Sequence, residues 1–475
     1  LNAIEKKKRK RNPFNLCGKE NKRMRPITIK QIVEITGGTL LCGNEMETIK
    51  NFCIDSRKMA KDMLFVPIIG ERVDGHQFIE SALKNGGATL TQQHEEKEDV
   101  HPWIRVENTI EAMQKIAKWY RMQMEFPVVA ITGSVGKTTT REMVTRALEA
   151  KYTVFHTEGN YNSQAGVPLT IARMTGEEEV AVLEAGMSQF GEMSALEEMI
   201  RPDIAVFTNI GVAHIENLGT QDNICKEKME LANHITEKGA IVLNGDDPIL
   251  MAHKGQLKGT IITYGTGKDC DYRATNIRIE QGKTKFTCSY KGESFEITMD
   301  VLGEHNVLNA LSAFAVSGWL GIPMKQVCHQ FEEFEGTRQK IYSLENYTII
   351  DDTYNASPDS MKASIRVLSE IPCKGRRIAV LADMLELGEK TEQYHREVGA
   401  FLAENNIEEL YTYGTLSAYL LEEAKKTKST IKGKSFMDRE ELLSFLKGHI
   451  QKGDCMLLKG SNGMKLSEIT TQFLK

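Results

Sequence analysis

The stretch Pro127-Val128-Val129-Ala130-Ile131-Thr132-Gly133-Ser134-Val135-Gly136-Lys137-Thr138-Thr139-Thr140 decides how the chain is read. A short apolar run, a glycine turn and a Lys-Thr pair opening a helix make a cradle for phosphate. Glycine lets backbone N–H groups approach the anion, and the helix N-terminus adds partial positive charge. In such a loop Gly133, Ser134, Val135, Gly136, Lys137, Thr138 and Thr139 face the phosphates. Lys137 reaches the β- and γ-phosphates and the Thr138 hydroxyl holds Mg2+. The position where the usual pattern has a further glycine is Ile131, so this is the shorter G-x-x-G-K-T-T form. Residues 141–150 are good helix formers, which completes a strand–loop–helix unit for a nucleoside triphosphate.

Outward from this unit, strands and helices alternate, the mark of an α/β protein with a parallel sheet covered by helices. Strands are expected at 180–183, 204–208, 241–244 and 260–264, followed by three shorter antiparallel stretches between 272 and 301 and a helix at 307–319. A second alternation has strands at 348–350, 377–381, 410–413 and 456–458, with a helix at 440–447 that Asp438 caps. Before the loop, 27–107 reads as a small α/β unit with helices at 28–36 and 78–85, and a helix at 109–124 leads onward. The boundaries drawn are 1–26, 27–107, 108–335 and 336–475.

Bulk properties agree with that division. At 475 residues, a prior of about 150 residues per domain gives three domains. With 41% hydrophobic and 26% charged residues the composition is that of a soluble globular protein. No apolar run is long enough to span a membrane. A net charge of −5 gives no general attraction to nucleic acid. Nine cysteines without a C-x-x-C pair point to reduced thiols in the cytoplasm. The basic run at 5–11 is not followed by a signal-peptide core and is expected to be a disordered, solvated tail. The initial Leu fits a non-standard start codon, a fragment or an upstream extension equally.

A phosphate loop needs an acidic partner for its metal. Glu184 follows an expected strand, so it should stand at the carboxyl edge of the sheet, where open α/β sheets bind ligands. His214, in Asn209-Ile210-Gly211-Val212-Ala213-His214, also follows a strand; alone, such a histidine is more often structural. Lys228 has the ordinary appearance of an exposed helix lysine.

Taken together and in this order, these segments resemble the Mur ligase family, ATP-dependent amide-forming enzymes of peptidoglycan precursor synthesis. The similarity runs through 132–140, Thr157-Glu158-Gly159-Asn160-Tyr161-Asn162, Gly166-Val167-Pro168, Glu184-Ala185-Gly186-Met187 and 209–214. It continues through Gly303-Glu304-His305-Asn306-Val307-Leu308-Asn309 and Lys459-Gly460-Ser461, so it covers roughly 27–475. Within the family, Asp351-Asp352-Thr353-Tyr354-Asn355-Ala356-Ser357-Pro358-Asp359-Ser360-Met361 resembles the D-D-x-Y-N-A-N-P-D-S-M signature of the MurF type, the branch that adds D-alanyl-D-alanine to UDP-MurNAc-tripeptide. The resemblance implies three α/β domains: a small UDP-binding N-domain, a central P-loop ATPase domain with a parallel sheet, and a Rossmann-like C-terminal domain. It implies an acyl phosphate intermediate, ATP and Mg2+ as cofactors, and a cytoplasmic monomer with no nucleic-acid or integral membrane partner.

The resemblance also assigns residues. Lys137, Glu184, His214 and Lys228 become catalytic. Thr138 and Glu184 hold one magnesium, while His214 and a carbamylated Lys228 attend a second; Lys226 is close enough to be mistaken for Lys228. His305, Asn306 and Asn309 lie on the adenine side, and Arg338 and Asp352 approach ATP from the C-terminal domain. Ser56, Arg57 and His76, the last in Asp74-Gly75-His76, serve the uridine nucleotide. Asn160 and Asn162 face the sugar-peptide or phosphate, Tyr354, Asn355 and Ser461 the dipeptide, and Asp383 belongs to the same C-terminal face.

Several positions depart from the family pattern. Gln164 replaces a Glu, Ala185 the Met of E-M-G, Ser357 the second Asn of N-A-N-P, and Asn462 the Arg of S-R-G. The alternatives these leave open are a ligase with another amino substrate and a catalytically silent nucleotide-binding relative.

Overall fold

A computed structural model of the chain describes residues 23–474 except 71 and 333. The basic run at 5–11 and most of the expected tail therefore lie outside the described residues. Contact density divides the chain into two compact units: the described residues up to Ile116 with Ile171–Glu177, and Ala117–Thr170 with Glu178–Lys475.

In the first unit, Thr39–Cys42 pairs antiparallel with Trp103–Arg105, and Ala88–Thr91, Met63–Phe65 and Asn51–Cys53 continue the sheet in parallel. Its first helix, Ile29–Thr36, follows from its ends. Thr28 and Gln31 form a capping box, and Gly37 takes the left-handed C-cap that glycine adopts without a Cβ clash. The helix expected at 78–85 is a tight 3-10 turn, Gly75–Phe78, followed by the short helix Ile79–Leu83. Asp74 caps the turn by accepting from the His76 amide, which favours tight winding there.

The second unit carries two sheets. Strand Val128–Thr132 is buried along its whole length and pairs in parallel with Val180–Glu184 on one side and Ile204–Phe207 on the other. Beyond these lie Val154–His156 at one edge, then Ala240–Asn244 and Thr260–Gly265 towards the other. The stretches expected to be short between 272 and 301 are instead the long strands Tyr272–Glu280, Lys283–Tyr290 and Glu293–Met299. The last two are antiparallel to their predecessors, and polar residues on one face carry the strands past the apolar core. The phosphate-loop helix Lys137–Leu148 and the helix Glu304–Trp319 bury Met143, Val144, Val307, Leu311 and Phe314 in the same core.

The six-stranded sheet is parallel except at Lys340–Ser343. Its spatial order is Lys340–Ser343, Thr348–Asp352, Cys455–Lys459, Arg377–Ala382, Glu409–Tyr413 and Lys432–Phe436. The sequence expectation omitted the two edge strands, Lys340–Ser343 and Lys432–Phe436. Both are short and mostly solvent-facing, so neither carries a buried run.

Candidate active site

The parallel register sets the site. Glu184 pairs with Ile131 and Phe207 with Thr132, so Glu184, the phosphate loop and Thr208-Asn209 emerge together at one carboxyl edge. The loop is then pinned from its neighbour: Asn209 O accepts from Ser134 N at 3.0 Å, and Asn209 Oδ1 accepts from Val135 N at 2.9 Å. Glycine is required at 133, where φ is 148° and a Cβ would lie 1.8 Å from Thr208 Oγ1. Gly136, at φ 87°, precedes the helix, and no side chain caps that helix. The first-turn amides of Lys137, Thr138 and Thr139 therefore have no partner within their own helix, which is the geometry that receives an anion.

Lys137 Nζ lies back across the loop, 2.7 Å from Gly133 O. Burial pushes its pKa down, and the nearby Arg338 charge pushes the same way against Glu184. Glu184 is buried and accepts from Asn162 Nδ2 at 2.6 Å and Thr138 Oγ1 at 3.1 Å, with Arg141 3.6 Å away. One hydroxyl and one oriented carboxylate are hard oxygen donors of the kind Mg2+ takes, so these residues fit that ion. Asn160, by contrast, is exposed.

Lys228 corrects the surface-lysine expectation. It is 1% exposed, among the largest fully buried side chains of the described residues. Burial, then the Lys137 charge, pushes its pKa well below the usual lysine value. Lys226 is on the surface, 2.6 Å from Asp222, so the two lysines are distinguished. His214 has left-handed backbone, φ 62°, and its Nδ1 lies 2.8 Å from Glu386 Oε2. Burial lowers its pKa; Glu386 opposes this, and Lys137 and Lys228 add to it.

From the crossover just before the strand Lys340–Ser343, Arg338 places a guanidinium nitrogen 3.4 Å from Thr138 Oγ1 and stacks on Tyr354, 3.1 Å from the ring centroid. Asp352 accepts from Lys459 Nζ at 2.6 Å and from Ser364 Oγ at 2.5 Å. Lys459 also donates to Asn355 O at 3.1 Å. Ser461 Oγ accepts from Leu385 N at 3.0 Å. Asp383 is buried and accepts from Ser417 N at 2.7 Å, which makes it a strut within the sheet. On the helix Glu304–Trp319, burial holds the His305 pKa down at about 4. Asn309 Oδ1 accepts from Thr140 Oγ1 at 3.1 Å, and Asn306 donates to Leu302 O at 2.7 Å. Both asparagines thus brace the helices around the loop.

In the first unit, Arg57 is exposed and forks onto Asp55 at 2.8 and 2.9 Å, with Ser56 half-buried beside it. His76 is buried. Its Nδ1 lies 2.7 Å from Asp74 Oδ1, and its Nε2 accepts from Gln92 N at 3.2 Å, so both ring nitrogens are committed within that unit.

Family models match three stretches: the Mur ligase family catalytic domain over 48–121, the Mur ligase middle domain over 131–317, and the Mur ligase glutamate ligase domain over 337–462. The UDP-N-acetylmuramoyl-tripeptide–D-alanyl-D-alanine ligase of Bacillus subtilis (strain 168) is 37% identical over 455 residues, covering 94% of this chain and 98% of that protein. The chain belongs to the Mur ligase family. The Escherichia coli (strain K12) protein of the same name is 31% identical, with 93% and 97% covered. Among solved structures, MurF from Acinetobacter baumannii has a TM-score of 0.86 at 28% identity, covering 95% of this chain and 99% of that one. MurF from Thermotoga maritima, solved in complex with ADP, has a TM-score of 0.80 at 28% identity, covering 89% and 96%. The α/β class and the three-domain architecture expected from the sequence stand with these matches.

Sequence reasoning passed over Arg141, Glu386 and Lys459. Lys459 was visible within Lys459-Gly460-Ser461 but carried no assigned role. Arg141 and Glu386 act across long sequence separations that no local pattern encodes.

Proposed function

We propose that the chain joins D-alanyl-D-alanine to UDP-MurNAc-tripeptide, with ATP cleaved to ADP and phosphate, in cytoplasmic peptidoglycan precursor synthesis. It works as a monomer. The observation that carries this is the convergence of Lys137, Thr138, Glu184 and Arg338 at one sheet edge. The chain around that edge matches D-alanyl-D-alanine-adding ligases over nearly its full length.

In the first step the peptide carboxylate attacks the γ-phosphorus of ATP, the bond to the bridging oxygen breaks, and ADP leaves an acyl phosphate behind. In the second, the dipeptide amine attacks the acyl carbon and gives up a proton, and the carbon–oxygen bond to phosphate breaks. Two anions must meet in the first step, so cations fixed in advance supply most of the help. Lys137 and the first-turn amides hold the phosphates, and Arg338 brings a further charge from the crossover that leads into the six-stranded sheet. Thr138 and Glu184 would hold a magnesium ion, and His214 with a carbamylated Lys228 a second, supplying positive charge to phosphate oxygens. The depressed Lys228 pKa favours the neutral amine, the form that adds carbon dioxide and releases a proton, and the carbamate presents oxygen where the bare cation repels Lys137.

His305, Asn306 and Asn309 border the adenine, the asparagines by bracing the loop. Asp352, oriented by Lys459, faces the nucleotide. Asn160 and Asn162 serve the sugar-peptide, and Tyr354, Asn355 and Ser461 the dipeptide. Ser56 and Arg57 serve the uridine nucleotide, with His76 ordering Asp74 beside them. Coupled ADP release, measured with UDP-MurNAc-tripeptide, ATP and Mg2+, should appear only when D-alanyl-D-alanine is added. Release that ignores the dipeptide but responds to another amine would overturn the assignment.

A further inference from the structure

Between the helix Met324–Phe331 and the strand Lys340–Ser343 the chain crosses from the nine-stranded to the six-stranded sheet. Three consecutive residues of this crossover are each tied to a different place. Thr337 is tied to the phosphate-loop helix: Glu142 Oε2 accepts from its backbone N–H at 3.2 Å, and Glu142 Oε1 accepts from its hydroxyl. Arg338 stacks on Tyr354 and reaches Thr138 Oγ1. Gln339 has φ 43°, a left-handed conformation rare for a side-chain-bearing residue. Its Nε2 lies 3.5 Å from Ser364 Oγ, whose hydroxyl donates to Asp352.

Glu142 stands four residues after Thr138 on the same helix, hence on the same face. Both of its oxygens are engaged by Thr337. Arg141, 3.2 Å from Oε1, balances its charge and also lies 3.6 Å from Glu184. A carboxylate beside a phosphate cradle repels the ligand it neighbours, so this one is placed to hold protein rather than nucleotide. What it holds is the residue directly before Arg338.

We propose that Glu142 is a positioning residue for the ligation: its grip on Thr337 fixes the crossover so that the Arg338 guanidinium is aimed at the phosphate loop. The proposal rests on Arg338 acting on the phosphates in the proposed reaction. A long, flexible side chain on a strained connector keeps its aim only while the connector is anchored at both ends. Ser364 is one anchor and Glu142 the other.

The test combines steady-state kinetics with amide hydrogen exchange on the full chain. Glu142→Ala is expected to lower kcat about 10- to 100-fold, the scale of a small misplacement of a reacting group, with KM for the UDP-linked substrate unchanged. The Thr337 amide should exchange faster in this variant. Thr337→Ser, which keeps both donors, should retain turnover. The double variant Glu142→Ala/Arg338→Ala should be no slower than Arg338→Ala alone, because the two residues act as one unit. Native kcat in Glu142→Ala, or fully multiplicative losses in the double variant, would overturn the proposal while an inactive Arg338→Ala left the function standing. Full turnover in Arg338→Ala would overturn the role of that arginine and this proposal with it. If Glu142→Ala does not fold, Glu142→Gln, which keeps one acceptor oxygen, carries the same test with a smaller expected loss.

Discussion

At the amino-terminal ends of the strands in the six-stranded sheet, Arg376 lies 2.6 Å from Asp454 and 3.0 Å from Glu409, and His449 lies 2.5 Å from Glu409. The Tyr411 hydroxyl donates to Glu409 at 3.0 Å. Burial alone would raise both carboxyls, yet these hydrogen bonds and the Arg376 charge hold Glu409 and Asp454 below their usual values. The carboxyl edge of the nine-stranded sheet is built the other way. Lys137, Lys228 and His214 all have depressed pKa values, burial is the leading cause for each, and each feels another cation nearby. The first cluster is complete within the protein. The second gathers basic groups whose charged forms are disfavoured by burial and by one another and are only partly supported by nearby carboxylates, so that an anionic ligand is the partner that would favour them.

The sharpest way to break this contrast is Lys137→Ala. Turnover should fall at least about 1000-fold, since the lysine acts on phosphate charge. The thermal midpoint should hold or rise, because an under-compensated buried cation has been removed. A folded variant with native turnover would remove the lysine from the mechanism. The mirror experiment is Arg376→Ala, which strands Asp454 and Glu409. It should cost about 3 kcal/mol of stability in urea titration while leaving kcat of the folded enzyme unchanged.

The contrast was only half legible in the sequence. Gly133 to Thr138 and the strand before them announced the loop, and Glu184 was placed correctly because parallel strands end at one edge. Burial of Lys228 was only faintly marked. On its helix, Gln221–Met229, Lys228 follows Ile224 by four residues on the face that buries Cys225 and Met229, but that apolar edge is short and set among Asp222, Lys226 and Glu227. Glu142 meets Thr337 across 195 residues, and His214 meets Glu386 across a similar gap, beyond the reach of any local pattern. His76 was expected at a ligand, but its two ring nitrogens are spent on Asp74 and Gln92. A buried histidine next to an Asx-capped turn looks the same in sequence whichever it serves.

Lys228→Ala sharpens the comparison further. Activity should drop about 100-fold, the scale expected when one charged group of a site is lost. Short carboxylic acids such as formate or acetate should restore part of it by returning an anionic oxygen. Full activity without rescue would make Lys228 a structural lysine. The smallest expected effect concerns acid. Carboxyls held low in the folded state contribute stability that is complete above their unfolded values, near pH 4, and is lost as pH falls through the lower folded values. Unfolding followed from pH 5 to pH 2 should therefore show a shallower loss in Glu409→Gln than in the unmodified chain. An identical slope would mean the network is not held by charge.

The most direct test of the acyl phosphate route follows oxygen. With the terminal carboxylate of UDP-MurNAc-tripeptide labelled with 18O, one labelled oxygen should appear in the phosphate released during ligation of D-alanyl-D-alanine, because the carboxylate oxygen that attacks ATP departs with phosphorus. Unlabelled phosphate alongside amide product would contradict that route and, with it, the charge-neutralising role of the phosphate-loop cations.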